Sequence, residues 1–324
     1  MSNAAFYLVL DRIEIQGANA LSSPITYGAP AMSGFLGAIH ALERKVPFQL
    51  LKDAGVSFAG ALIASHECRV RRYRSNWYSD YTLNQSRNPI TKEGKTDSII
   101  EEGKVDMTVS LVIPVACKNI DGADWLSDNQ KDFLAWVKRT LYHQRMAGGS
   151  VFAVEGAGLL NAQEDALSVL KPRLAPAHIL MDARQELRKI TDALQEKNPE
   201  ATALDALLEL AMLHHAPEKD EKDEKDEKDE KDEKNIKWKT TSVRSGRGWL
   251  VPMPVGYQAI STKKESLQGS RRADYPSHFV ETVYSLGKWV SPYSLDSLES
   301  AFWRMHQPDS NGLYLIKQSN ENSL

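Results

Sequence analysis

The segment between residues 69 and 87 carries the residue types best suited to binding chemistry. It holds five arginines, three tyrosines and one tryptophan with one aspartate. Arginine presents planar donors that match phosphate oxygens, and aromatic rings stack on unpaired bases. The pattern favours contact with single-stranded nucleic acid, and a packed, salt-bridged hairpin is the alternative interpretation. The candidate residues are Arg69, Arg71, Arg72, Arg74, Trp77 and Arg87.

Two loops of small residues are weaker candidates. Residues 17–33 join a predicted strand to a predicted helix, where backbone N–H groups could approach phosphate. Their spacing matches neither a P-loop nor GxGxxG, so an ordinary connection explains them equally well. Gly148 and Gly149 follow Arg145. A helix C-cap would explain one glycine, and close approach of the backbone to RNA would explain the second.

Basic residues in the last third of the chain include Arg244 and Arg247. They could extend a track for a phosphate backbone, and they are equally typical of a solvated surface.

Residues for catalysis are sparse. His40 on the first predicted helix, with Tyr27, Arg44 and Lys45, could act as a general acid or base on a ribose 2′-hydroxyl in metal-independent RNA cleavage. A lone histidine on a helix is more often hydrogen bonded in the fold. The sequence contains no HExxH and no nucleophile elbow. We therefore expect no catalytic residue, no metal and no cofactor, with an endoribonuclease using His40 as the alternative.

Composition limits the class of protein further. The 324 residues carry a formal charge of −3, but residues 218–234, an EKD repeat, contribute 11 acidic residues against 6 basic ones. The remainder is therefore mildly basic. Two cysteines are too few for a disulfide framework, and no apolar run approaches the ~20 residues that cross a bilayer. We expect a cytoplasmic protein without membrane contact.

Hydrophobic periodicity predicts an α+β fold that begins with the order βαββαβ, the split βαβ plan of ferredoxin-like and RNA-recognition domains. Residues 6–15 form the first strand with a bulge at Asp11 and Arg12, and a helix capped by Ser33 follows. Strands are expected at 55–64, at 105–115 with one wet face, and at 150–154, with a helix from 127 to 145 between the last two.

A long insertion separates the second and third strands. Residues 65–104 predict an extended hairpin with its tip near Asn88 and residues 92–94. The expected organisation is an RNA-recognition-like palm at 1–158 with 65–104 inserted as a thumb, a helical segment at 159–217, a charged flexible EKD loop at 218–234, and a mixed α/β part at 235–324 that packs on the palm.

Further elements are expected after the palm. Helices are predicted at 182–196 and at 204–214, the second with a capping box of Thr202 and Asp205. An edge strand or ordered loop at 248–261, helices around 279–286 and 295–306, and a last strand at 313–317 complete the expectation.

Several stretches resemble one protein family, in order along most of the chain. They are LDRIEIQGANALSSPITYGAP, SGFLGAIHALERKV, SRNPITKEG, IIEEGKVDMTVSLVI, RMAGGSVF, ATALDALLEL, GWLVPMPVGYQAIS and HFVETVYSLGKWVSP. They are similar to the Csy-two (Cas-five-type) family, a subunit of the type I-F CRISPR surveillance complex.

The resemblance implies a non-catalytic RNA-binding subunit. Such a protein pairs with the large subunit as a heterodimer and holds the 5′ handle of the CRISPR RNA. A backbone subunit follows along the guide, and target DNA is met indirectly, by base pairing.

The resemblance also marks candidate handle contacts by motif. These are Asn19, Ser22, Ser23, Thr26 and the adjacent Tyr27 in one segment, Arg87 and Asn88 in the second, and Arg145, Gly148, Gly149 and Ser150 in the third.

Overall fold

The structure is a computed structural model that describes residues 4–217, 237–263, 266–269, 272, 274–306 and 312–318. The EKD repeat at 218–234 lies outside these residues. The strands and helices are, in chain order, β1 (Phe6–Asn19), β2 (Leu21–Ser23), β3 (Thr26–Tyr27), α1 (Met32–Glu43), α2 (Phe48–Asp53), β4 (Ser57–Phe58), β5 (Leu62–Val70), β6 (Arg72–Tyr73), β7 (Thr82–Arg87), β8 (Ile99–Glu102), β9 (Lys104–Ala116), α3 (Ile120–Asp128), α4 (Gln130–Tyr142), β10 (Arg145–Met146), β11 (Gly149–Asn161), α5 (Ala166–Leu174), β12 (His178–Asp182), α6 (Arg184–Gln195), α7 (Ala203–Ala211), β13 (His214–Pro217), β14 (Trp238–Thr241), β15 (Trp249–Ala259), β16 (Val280–Val290), β17 (Trp303–His306) and β18 (Leu313–Gln318).

A large, mainly antiparallel sheet dominates the fold and confirms the predicted α+β class. Its strands lie in the order β10-β11-β1-β9-β5-β12-β16-β15-β18-β17, and β4 also pairs with β9. β1 pairs antiparallel with β11 on one side and with β9 on the other, and β5 pairs with the far edge of β9. The first strand of the sequence is therefore an interior strand of the sheet.

The core of the sheet lies on both sides of β1. Leu8, Val9 and Leu10 have no exposed surface, although successive side chains in a strand point to opposite faces. On the face of Val9, α5 contributes an apolar side made of Ala166, Leu170 and Leu174. Both faces of the sheet are therefore covered along this part of β1.

The predicted bulge in the first strand is confirmed. The pairing of β1 with β9 shifts register between Leu10 and Ile13, and Arg12 adopts a positive φ of 43°. The Arg12 backbone N–H donates to the Ser110 hydroxyl at 3.0 Å. A side-chain oxygen on β9 thus replaces the backbone acceptor that the bulge displaces.

The predicted third strand is confirmed as β9, but its solvent-exposed face is shorter than expected. Alternation of buried and partly exposed side chains holds only as far as Val109, and residues 110–115 are all buried. Ser110 is 1% exposed. The prediction of one wet face is wrong for this half because α5 and its neighbours pack on Val112.

The long insertion has more structure than the predicted hairpin. Residues 65–70 belong to β5, which stays paired with β9 as far as Val70 and Val105. β6, β7 and β8 then form a separate three-stranded sheet. The predicted tip is the loop between β7 and β8, where Gly94 has φ 74° and its N–H donates to the Thr91 carbonyl. The insertion therefore begins near residue 71, because an unbroken pairing with β9 holds the preceding residues.

Helices near the middle of the chain differ in detail from the prediction. α1 begins after Ala31, whose side chain makes no capping bond, so Ser33 is not the cap. The helix expected at 127–145 is confirmed as α4, but it is shorter, because it begins after Asn129 and ends at Tyr142. α2, α3 and α5 were not predicted. Pro172 in the last turn of α5 is a residue that usually marks a helix boundary.

The regular elements described in the last third of the chain are mainly strands. The helix predicted around 279–286 is wrong, since Val280, Thr282 and Tyr284 lie on β16. The helix predicted at 295–306 is also wrong, because short 3-10 turns and β17 occupy that segment. β15 is not an edge strand, since it lies between β16 and β18. Pairing with neighbouring strands overrides local helical periodicity here.

Two helices that precede this region do follow the prediction. α6 and α7 cover the two expected segments. The capping box is confirmed, because the Thr202 hydroxyl accepts from Asp205 N–H and the Asp205 carboxylate accepts from Thr202 N–H.

The chain divides into two compact units. One contains residues 1–182, 253–284 and 289–324, and the other contains residues 183–252 and 285–288. The boundaries expected from the sequence stay a prediction.

Gly149 offers a test of the packing between β11 and β1. A Cβ there would lie 2.7 Å from Ile15 Cγ2 and 2.8 Å from the backbone of Gln16 and Ala18. We expect Gly149→Ala to lower the free energy of unfolding by about 1–3 kcal/mol, as overpacking does. Denaturant unfolding followed by tryptophan fluorescence measures the effect.

The control for this variant is Gly37→Ala on α1, where a Cβ meets open space. This change should raise stability by about 0.5–1 kcal/mol. Equal midpoints for both variants would contradict the close approach of β11 to β1.

Candidate nucleic-acid interface

Several predicted contact residues meet at the end of β1. The Asn19 N–H donates to the Ala147 carbonyl at 2.9 Å, which joins β1 to the turn between β10 and β11. The Ala20 N–H donates to the Gly103 carbonyl at 2.9 Å, at the point where the insertion returns to the sheet. We call this group, with the β2–β3 hairpin that follows Ala20, the β1-end cluster.

The β2–β3 hairpin of the β1-end cluster is fixed by three hydroxyl groups. Thr26 Oγ1 lies 2.7 Å from Ser22 Oγ and 2.6 Å from Ser23 Oγ, and the Thr26 N–H donates to Ser23 Oγ at 3.1 Å. Tyr27 follows with its side chain 48% exposed. The predicted residues of this segment are therefore close together, on a hairpin whose shape does not require a ligand.

The glycine pair belongs to a β-hairpin turn, so its interpretation as a helix C-cap is wrong. Ala147 and Gly148 have φ values of 50° and 81°, the left-handed pair that a two-residue hairpin uses. Gly149 packs against β1, as described above, so its close backbone approach is to the protein. Arg145 Nη1 donates to the Gly148 carbonyl at 3.1 Å, and Ser150 is exposed.

The Arg71 side chain forms an ion pair with a carboxylate of the same protein. Its guanidinium donates to both carboxylate oxygens of Asp106 at 2.8–3.1 Å, and the Gly17 N–H donates to the same carboxylate at 2.9 Å. The hydrogen bond from Arg71 is the main reason that the pKa of Asp106 lies below its ordinary value. Asp106 thus ties the base of the insertion to β1, a role that the sequence did not reveal.

Arg69 lies directly across from Asp106, on the last part of β5. Its side chain is exposed, and its charge also lowers the pKa of Asp106.

Arg72 and Arg74 share one aromatic ring. Their guanidinium carbons lie 4.4 Å and 4.9 Å from the centre of the Tyr81 ring. Arg74 Nη1 also donates to the Trp77 carbonyl at 2.9 Å. Cation–π contact holds the two guanidinium groups side by side without neutralising their charge.

Trp77 is the most exposed aromatic ring of the insertion. It is 81% exposed and meets Tyr78 edge to face at 5.6 Å. Neither ring fills a core. The packed, salt-bridged alternative therefore describes Arg71 but not Arg72, Arg74 or Trp77.

Arg87 and Asn88 lie where β7 ends, and both are exposed. Arg87 pairs through its backbone with Ile99 of β8. Their side chains are available to a ligand at the outer end of the small sheet.

Arg244 and Arg247 lie in the smaller unit, and both donate to protein acceptors. Arg244 Nη2 donates to the Leu250 carbonyl at 3.2 Å. Arg247 Nη1 donates to Glu186 Oε2 at 2.9 Å, and Arg247 Nε donates to the Val243 carbonyl. The sequence left open a phosphate track and a solvated surface, and these bonds give Arg247 a third role, as a structural contact within the smaller unit.

His40 is exposed on α1 and lines a cleft with a volume of about 680 Å³. Lys45 donates to Gln144 Oε1 at 3.1 Å, so it is oriented by the segment that follows α4. Within the described ranges, no group of three or more His, Cys, Asp or Glu side chains is placed to hold a metal ion.

Asp106 allows a pH test of the tie between insertion and sheet. Because its folded pKa is depressed below the ordinary value of about 3.9, its contribution to stability is complete above that pH and is lost as the pH falls through the folded pKa. We expect Asp106→Asn to be less stable than the parent by about 1 kcal/mol at neutral pH.

The difference should shrink below about pH 4, where the parent carboxyl takes up its proton. Urea unfolding at a series of pH values measures it. A difference that stays constant down to the lowest pH at which both proteins fold would contradict the role of the ionised pair.

No helix in the described part of the chain is both long and apolar enough to cross a membrane.

Sequence comparison shows which known proteins this chain resembles. The family model described as CRISPR-associated protein (Cas_Csy2) matches residues 8–316. A curated relative, CRISPR-associated protein Csy2 of Pseudomonas aeruginosa (strain UCBPP-PA14), is 32% identical over 323 residues, which is 95% of this chain and 93% of the relative. The match covers the β1-end cluster, the insertion and the last strands, and the chain belongs to the Cas_Csy2 family of CRISPR-associated proteins.

Proposed function

We propose that this protein is a non-catalytic RNA-binding subunit of a type I-F CRISPR surveillance complex, and that it clamps the 5′ handle of the CRISPR RNA. The observation that carries the proposal is the pair of guanidinium groups on Tyr81 next to the exposed Trp77. Phosphate-binding cations beside open rings suit an unpaired strand. The small sheet that bears them is joined at its base to the β1-end cluster.

The topology supports an RNA-recognition-like palm with the insertion as its thumb. The first four long strands lie in the order β11-β1-β9-β5, with α1 between β1 and β5 in sequence and α3 and α4 between β9 and β11. This order supports the proposal of a split βαβ palm. The small sheet leaves from one end of the β5–β9 pair, as a thumb would.

Membership of the Cas_Csy2 family supports a proposal about the binding partners of this chain. We infer that the chain pairs with the large subunit as a heterodimer, contacts the backbone subunit and meets target DNA indirectly, in the cytoplasm. Because base pairing reads the DNA, the contacts of this subunit should favour RNA backbone and shape over guide sequence.

The proposed clamp does not cut RNA. Precursor CRISPR RNA incubated with the protein in EDTA should remain intact on a denaturing gel. Cleavage that disappears in His40→Ala would overturn this part of the proposal and favour the endoribonuclease.

Handle specificity is the first test of binding. The protein, purified with the large subunit, should bind guide RNA with its native handle more tightly than the same RNA with a scrambled handle. Filter binding at fixed salt measures the ratio. Equal affinities for the two RNAs would contradict the proposal that the protein recognises the handle.

The arginines of the insertion should separate into two classes. Arg72→Ala and Arg74→Ala should each flatten the dependence of log affinity on log salt by about 0.7, the value for one phosphate contact on a single strand. Arg71→Ala is the matched comparison, because Asp106 already neutralises it. We expect Arg71→Ala to lower the melting temperature with little change in slope. A slope change confined to Arg71→Ala would contradict the assignment.

A further inference from the structure

A cleft beside His40 lies near the β1-end cluster, and the proposed clamp does not use it. Its volume is about 680 Å³, which is within the usual range for small-ligand sites. One wall comes from the start of α1, and the other comes from β15, β16, β17 and β18. Among the residues that line it are Ser22, Ser33, His40, Tyr257, His306 and Tyr314.

The lining suits a flat, uncharged ring. Tyr257 and Tyr314 are cross-strand partners, and their rings stack at 4.8 Å with an angle of 16° between the planes. The described residues that line the cleft include hydroxyl, imidazole and apolar side chains but no Asp, Glu, Lys or Arg. A phosphate would find no fixed cation there, whereas a heterocycle would find an aromatic wall and neutral donors and acceptors.

Two titratable side chains of the cleft, His306 and Tyr314, have pKa values shifted in the direction that favours their neutral forms. Partial shielding from solvent, with Lys317 and Arg304 nearby, lowers the pKa of His306, so its imidazole presents one donor and one acceptor. Burial and the neighbouring Tyr257 raise the pKa of Tyr314, which keeps its phenol protonated. Such groups match the mixed donors and acceptors of a base edge.

The cleft adjoins the proposed path of the RNA. Ser22 is one of the three residues whose hydroxyl groups fix the β2–β3 hairpin, and it also lines the cleft. A strand that follows the hairpin could turn one nucleotide inward without leaving the surface. Single-stranded RNA is commonly read in this way, with a base splayed out, stacked on an aromatic ring and hydrogen bonded at its edge.

We propose that the cleft between α1 and the β15–β18 strands holds one unpaired nucleobase of the CRISPR RNA handle. This inference rests on the proposed function and adds to it a base-binding site, with Tyr314 or Tyr257 as the stacking surface and His306 as an edge contact.

The test combines RNA lacking one base with a protein variant whose cleft is filled. Each handle nucleotide of a guide RNA is replaced in turn by an abasic one. In the parent protein, bound with the large subunit, one position should weaken binding by about five- to 150-fold, as loss of one stacked base does. Ser33→Trp, at an exposed position of α1, should bind intact RNA more weakly by a similar factor and show no further loss at that position.

Ser33→Ala is the matched control, which leaves the cleft open and should keep the penalty of the parent. His306→Ala, also at an exposed position, gives a second cleft variant if the tryptophan lowers the melting temperature. An abasic penalty that is the same in the parent and in a folded cleft variant would overturn the inference while preserving the handle clamp. Equal abasic penalties at all handle positions would also overturn the inference while preserving the handle clamp. Equal affinity for RNA with native and scrambled handles would contradict both the handle clamp and the base-binding site.

Discussion

Hydrogen bonding along both edges of β1 is the constraint on which the rest of the structure depends. β9 and β11 each pair with β1 over most of its length, and side chains on both of its faces are buried. The residues that follow β1 are therefore placed by the sheet. Asn19 meets the β10–β11 turn and Ala20 meets the end of the insertion because β11 and β9 are the two neighbours of β1. A loop without this pairing would bring none of these segments together.

The structure separates arginines that the sequence presents as equivalent. Arg71 and Arg247 are held by Asp106 and Glu186, and each helps to fix a local arrangement of the chain. Arg72 and Arg74 lie on a ring, which keeps their charge available to solvent and to phosphate. A fixed carboxylate competes with RNA for a guanidinium group, whereas an aromatic face does not. The proposed binding surface is therefore smaller and better defined than the arginine-rich segment as a whole.

The glycine pair shows how a local pattern can support the wrong interpretation. Two glycines after an amphipathic stretch are typical of a helix end. Here α4 has already ended, and a two-residue turn requires the left-handed backbone at Ala147 and Gly148. Gly149 lacks a side chain because Ile15 and the backbone of β1 occupy that space. The same glycines thus serve strand pairing, and they bring Arg145 and Ser150 to the β1-end cluster.

The sequence alone determined the class of the fold, the presence of strands β1 and β9, the bulge at Arg12, and a long insertion between β5 and β9 that is rich in arginine and aromatic residues. These features depend on short-range periodicity and composition, which a single chain displays directly. Only the tertiary structure decided that 279–286 and 303–306 are strands, that Arg71 is neutralised, and that Tyr257, Tyr314 and His306 line one cleft with Ser22. These outcomes depend on strand pairing and charge contacts between residues far apart in the chain. Local periodicity does not indicate which distant segment a given residue will contact.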